Sequence, residues 1–254
     1  MIKFFRNIRR RLLRENRFTR YLIYAIGEII LVVIGILIAV QLNNWNQSDK
    51  EEKLANQYLK NIQFDLNQDL ESLERVETLV NDRRRAATSI LNSLDSNDYK
   101  NPGVFLFQVD NAGRYGIPQR ARATYEDLIA TGNIQFIPKS TREKVTAYYR
   151  LDDVMQSNQE LQKVRVFDRY LPYAVSAMPL GAQRWIYIIQ DTNADPSKYP
   201  DSIVPFAEQT LRALKNESEV KDALKAVIRG TWSEDRLIIR HREEINKLLQ
   251  HLKT

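Results

Sequence analysis

The side chains able to do chemistry are few. The chain has no cysteine, and its histidines are His241 and His251. Thiol nucleophiles, thiolate metal sites, disulfides and histidine-rich metal sites are therefore excluded. A serine nucleophile needs a base beside it, and neither histidine has a nucleophile-elbow motif to serve. No G-x-x-x-x-G-K-[ST] or G-x-G-x-x-G run occurs, so there is no phosphate-cradling loop of either kind. Carboxylates fall in adjacent pairs: Glu126-Asp127, Asp152-Asp153 and Glu243-Glu244. Neighbours on a helix point about 100° apart and make a poor catalytic dyad, so these pairs read as solvated surface. Arg83-Arg84-Arg85 could attract an anion, and it too reads as a solvated face. The expectation is a non-enzyme with no cofactor, no metal and no catalytic residues.

Glu28 is the unusual residue. It lies inside the apolar run from Tyr21 to Leu42, YLIYAIGEIILVVIGILIAVQL. At 1.5 Å per residue that run spans roughly 33 Å, the thickness of a bilayer's hydrocarbon core. A carboxylate there is costly and normally faces protein or water. At about 100° per residue, Gly35 and Ala39 each fall within about 20° of Glu28, on either side of it. Gly35-x-x-x-Ala39 is a small-xxx-small pair that permits close helix approach. The expectation is a transmembrane interface at Glu28, Gly35 and Ala39 with a second copy or another membrane protein. Tyr21, Tyr24 and Trp45 mark the two membrane interfaces as an aromatic belt.

Charge sets the orientation. Residues 1–20 carry eight cations (Lys3, Arg6, Arg9, Arg10, Arg11, Arg14, Arg17 and Arg20) against the single anion Glu15. That segment holds +7, so the whole-chain value of +6 leaves −1 for the remainder. The positive-inside rule keeps these arginines in the cytoplasm, where they meet anionic headgroups. Residues 3–14 group Phe4, Phe5, Ile8 and Leu12 on one helical face. This pattern fits either an interfacial helix or an orientation signal alone. Beyond the span there is no cationic excess, which argues against nucleic-acid binding.

The organisation follows: a basic arm at 1–20, a transmembrane helix at 21–44 and an exported domain at 45–254. Residues 49–95 lack proline and glycine. In them Leu59, Ile62, Leu66, Leu70, Leu73, Val80, Ala87, Ile90 and Leu94 recur with a period near 3.5, as in one long helix or two in line. Residues 96–120 read as a loop, with Val104–Val109 a short extended piece. Thr124–Thr131 reads as helix, stopped by Gly132-Asn133. Ser140 and Glu143 form a capping box for a helix reaching Arg169. A short helix is expected over Phe206–Lys215, and a last one over Ser218–Leu252, bent at Gly230. The fold class expected is mostly α: one N-terminal transmembrane helix plus an all-α exported helical bundle with long helices.

Two stretches carry a resemblance. Tyr24-Ala-Ile-Gly-Glu-Ile-Ile-Leu-Val-Val-Ile-Gly-Ile-Leu-Ile-Ala39, followed by Gln41-Leu-Asn-Asn-Trp45-Asn, is similar to the N-terminus of a family of bacterial single-span proteins. That family is known only as a domain of unknown function. Thr124-Tyr-Glu-Asp-Leu-Ile-Ala-Thr-Gly-Asn133 resembles its mid-domain motif. The resemblance implies a bacterial inner-membrane address, N-terminus cytoplasmic, with a mostly helical periplasmic domain. It implies no activity and no catalytic residues, and it sets Glu28 and Gly35 inside the family's signature.

Among functions, an assembly or accessory subunit that associates through its span is expected. A periplasmic ligand sensor is the alternative, and would have to signal through a partner, because about 20 cytoplasmic residues cannot fold an output domain. A hydrolase using carboxylates from distant segments is the third.

Overall fold

A computed structural model of the chain describes residues 17–116 and 118–253. The basic arm's Arg9, Arg10, Arg11 and Arg14, and the amphipathic pattern at 3–14, lie outside the described residues. The chain divides into two units, residues 1–57 and 58–254. Among the described residues there are eight α-helices, two short 3-10 turns and no strand. Helix α1 (Arg17–Ser96) contributes to both units.

In the first unit every side chain from Tyr24 to Lys50 is exposed. Leu31 is 72% accessible, Tyr24 76% and Trp45 71%. An apolar helix exposed all round is compatible with a membrane span. It is the helix among the described residues long and apolar enough to cross a bilayer.

The second unit rests on three long helices. On α1 a seam of buried positions runs through Ile62, Leu66, Asp69, Leu73, Val76, Val80, Arg83, Ala87, Ile90 and Leu94 with spacings alternating between four and three, and buried Asp65, Ser72, Ala86 and Ser93 lie beside it. Helix α4 (Lys139–Phe167) repeats the rule with Thr141, Val145, Tyr148, Asp152, Met155, Gln159, Gln162 and Val166. Helix α8 (Val220–Lys253) does so with Val220, Leu224, Val227, Thr231, Glu234, Ile238, His241, Ile245 and Leu248. Each helix thus turns a narrow seam inward. α4 and α8 run antiparallel: Thr141 meets His251 near one end, and Gly230 lies against Gln162 near the other.

Between the long helices sit α2 (Pro102–Asn111), α3 (Ala123–Ala130), α5 (Leu171–Ala177), α6 (Leu180–Thr192) and α7 (Val204–Asn216). They close a second apolar cluster around Ile90, Phe105, Leu106, Val109, Tyr170, Ala182, Ala207, Leu214 and Leu224. Burying side chains of this size contributes about 1.5–3 kcal/mol each before conformational entropy is set against it.

Several expectations are corrected. The piece at 104–109 is helical, not extended. The Asn101 side chain accepts from Val104 N (2.9 Å) and Pro102 opens the helix, two start signals that override the β-preferring Val-Phe run. Ser140 caps nothing: Pro138, at φ −51°, precedes the first helical residue, Lys139, with no side-chain cap. Helix α8 runs unbroken through Gly230. A Cβ there would meet Gln162 Oε1 at 2.3 Å, so glycine lets α4 close on α8. Residues 96–120 contain α2 and are a loop only on its two sides.

Candidate functional site

The polar residues on the three seams face one another. Asp69 lies on α1, Tyr148 and Asp152 on α4, and His241 on α8; all are at most 4% exposed. The Tyr148 hydroxyl donates to Asp69 Oδ2 (2.5 Å), and the Ala121 amide donates to Asp69 Oδ1 (2.9 Å). His241 Nε2 stands 3.2 Å from the same hydroxyl. The phenolic proton is committed to the carboxylate, so the phenolic oxygen accepts from His241 Nε2–H. This fixes the neutral tautomer and leaves Nδ1 as a buried lone pair without a protein hydrogen bond.

The loop before α3 supplies the cations. Arg120 Nη1 donates to the Asp152 carbonyl (2.6 Å), and lies 2.8 Å from Asp152 Oδ1 as a charge contact without hydrogen-bond geometry. Its Nη2 donates to Gln159 Oε1 (2.8 Å). Arg122 Nη1 reaches Asp152 Oδ2 (2.6 Å) and Asp153 Oδ1 (2.8 Å). Tyr115 OH donates to the Gln159 carbonyl (2.5 Å). One loop is thereby stitched to α4 by five hydrogen bonds. Farther along, buried Arg83 pairs with Glu234, donates to the Arg114 carbonyl (3.2 Å), and lies over the Tyr115 ring at 5.2 Å.

Electrostatics follows burial. Desolvation pushes the His241 pKa down to about 4, with help from the Arg120 charge. Desolvation raises Asp69, opposed by its bonds from Tyr148 and Ala121. It raises Asp152 too, opposed by Arg120 and Arg122. Tyr148 and Tyr149 are held protonated by burial first and by neighbouring carboxylates second. The cluster holds one base, His241, whose contacts are Tyr148 and Asp152. Among the described residues no group of three or more histidines and carboxylates is arranged for a metal. In this geometry the network couples three helices and a loop in register. Polar groups at seam positions are well suited to that task.

The residues singled out in the sequence separate. Glu28, Gly35 and Ala39 sit on the exposed apolar stretch of α1, and a Cβ on Gly35 would meet nothing within 4 Å. Tyr24 and Trp45 are exposed toward the two ends of that run. Tyr21, Arg17 and Arg20 lie at the start of α1. Of the carboxylate pairs, Asp152 is corrected from solvated surface to 1% exposed, because α4 turns its seam there. Asp153 stays exposed, and Glu244 pairs with Lys247 (2.7 Å). Asp127 accepts from Tyr58 OH (2.5 Å), and Asn133 Nδ2 donates to that hydroxyl (3.1 Å). The run at 83–85 is corrected as well. Arg83 is buried, Arg84 pairs with Asp235 (2.5 Å), and Arg85 pairs with Asp82. In the motif at 124–133, Leu128 is fully buried and Tyr125 stacks on Tyr149 at 4.0 Å, so it docks α3 onto α4. Asp69, Tyr148, Arg120, Arg122 and Glu234 are site residues that the sequence reading does not single out.

The profile of a family of unknown function (DUF6090) matches residues 28–166, more than half of the chain. No curated protein and no solved structure matches it.

Proposed function

The chain belongs to the DUF6090 family of unknown function, and from that premise we propose that it is a non-catalytic assembly or accessory subunit of a bacterial inner membrane. In this reading the N-terminus is cytoplasmic, one helix spans the bilayer, and the helical domain is periplasmic. The span is the working surface, joining a second copy or another membrane protein through Glu28, Gly35 and Ala39. The observation that carries the reading is the bare apolar stretch: among the described residues nothing of its own unit packs on it, and the space over Gly35 is open. A carboxyl on that helix gains by meeting a donor on another helix. The seam polar groups are engaged mainly with one another, which supports a structural and not a catalytic use for them.

Topology is the first test. Phosphatase fusions after Trp45 and at Thr254 should both be active, and fluorescent-protein fusions at the same points exported through the general secretory route should be dark. A C-terminal fluorescent fusion that lights up in the cytoplasm would reverse the orientation.

A further inference from the structure

The outward face of α8 has a composition that the domain's packing does not use. Between Lys225 and Arg240 its exposed residues are Lys225, Arg229, Trp232, Arg236, Ile239 and Arg240. All are cationic or apolar. The stretch also holds two acids, Glu234 and Asp235, and these turn inward to Arg83 and Arg84 on α1. Lys225 pairs with Asp222 one turn away (3.0 Å). No acidic side chain among the described residues pairs with Arg229, Arg236 or Arg240. Trp232 is 55% exposed and Ile239 50%. At roughly 100° per residue the six residues share an arc of about 100°. Three unpaired guanidinium groups beside a solvent-facing indole form an unusual stripe on a domain whose charge otherwise nearly balances.

We propose that this α8 face docks on an anionic phospholipid surface. Guanidinium groups match phosphate geometry in a fork and are weakly hydrated. Indole favours the headgroup level, where its ring meets acyl carbon and its N–H meets water. A bilayer interface offers phosphate and apolar depth within one side chain's reach, which suits an arc where Trp232 and Ile239 stand among arginines. Tethering by the span keeps lipid at high local concentration, so weak contacts suffice. Only that tether rests on the anchored reading above.

The test uses the full chain carrying Ser233→Cys, which is then its only cysteine, labelled with a polarity-sensitive dye. The protein is placed in phosphatidylcholine nanodiscs, and vesicles are added, either phosphatidylcholine alone or with phosphatidylglycerol in equal parts. A parallel sample carries phosphatidylglycerol in the nanodisc itself. The dye should brighten and shift to the blue with phosphatidylglycerol in at least one geometry, and stay unchanged with phosphatidylcholine. At about fivefold per arginine, the triple variant Arg229→Gln/Arg236→Gln/Arg240→Gln should need roughly a hundredfold more anionic lipid. Its melting should be unchanged, because the replaced groups are exposed and unpaired. Because the dye reads polarity at α8, lipid gathered by the basic arm does not register. No response to phosphatidylglycerol in either geometry would overturn the proposal. So would an equal response to phosphatidylcholine, or a triple variant that behaves as the wild type. Alkaline carbonate extraction of native membranes reads the anchor separately. Release of the chain there would defeat the anchored reading and leave the dye result to stand alone.

Discussion

Replacing Glu234 by alanine is expected to cost about 3–5 kcal/mol of folding stability, because it leaves the Arg83 guanidinium charged and buried without its carboxylate. Arg83 is 2% exposed, and its other partners are a carbonyl and an aromatic face, which do not neutralise it. The neighbouring Arg84–Asp235 pair calibrates the effect. Both side chains there are about a quarter exposed, so Asp235→Ala should cost only about 0–1 kcal/mol. Removing both members of the buried pair, Arg83→Met with Glu234→Leu, should recover most of the loss or even add stability. Urea unfolding of the full chain in nanodiscs measures all three. A loss below about 1 kcal/mol for Glu234→Ala would mean that water reaches Arg83.

Acidification should weaken the fold through His241. Its pKa stands at about 4 in the folded chain, against about 6.5 unfolded. For a group depressed on folding, the stabilisation is complete above the unfolded value and is lost as pH falls toward the folded one. The window therefore runs from about 6.5 down to about 4, with a full span on the order of 3 kcal/mol. Asp69 and Asp152 act in the opposite sense. Their folded values are raised, so their protonation favours the native state on acidification. The histidine share is isolated by comparison with His241→Gln, whose amide can still donate to Tyr148. Between about pH 7 and about pH 5 the wild type should lose roughly 2 kcal/mol more than the variant. Parallel pH curves would show that His241 is not buried neutral.

The helical class and most of the long α1 seam are legible from apolar spacing: Ile62, Leu66, Leu73, Val80, Ala87, Ile90 and Leu94 are all buried. Leu59 and Leu70 were counted because they are apolar, and both are only half-buried. The strict alternation of four and three runs instead through Asp69, Val76 and Arg83. A charged residue at a seam position was thus the visible signal of the polar core, and Asp152, Glu234 and His241 obey the same rule on α4 and α8. Arg120 and Arg122 could not be found that way. They lie on a loop, and periodicity says nothing about which carboxylate a loop arginine will meet. Helix α2 is hidden because Val-Phe-Leu-Phe favours an extended piece, and the Asn101-Pro102 start overrides it. Propensity is a weak prior there, since a cap and packing against Ile90 and Leu214 decide the outcome.

Association through the span is the central claim, and scanning cysteines along it tests that claim most directly. The native chain has no cysteine, so each single replacement from position 24 to 42 can carry a thiol-attached photo-reactive group in intact membranes. The helix face predicts adducts, with a second copy or with a larger partner, that peak at positions 28, 35 and 39. Interhelical hydrogen bonds of roughly 0.5–2 kcal/mol and close packing at small residues support such an interface, and Gly35→Leu should abolish the adducts at 28 and 39. A flat profile, or one centred on Ile30 and Leu37 across the helix, would contradict the account.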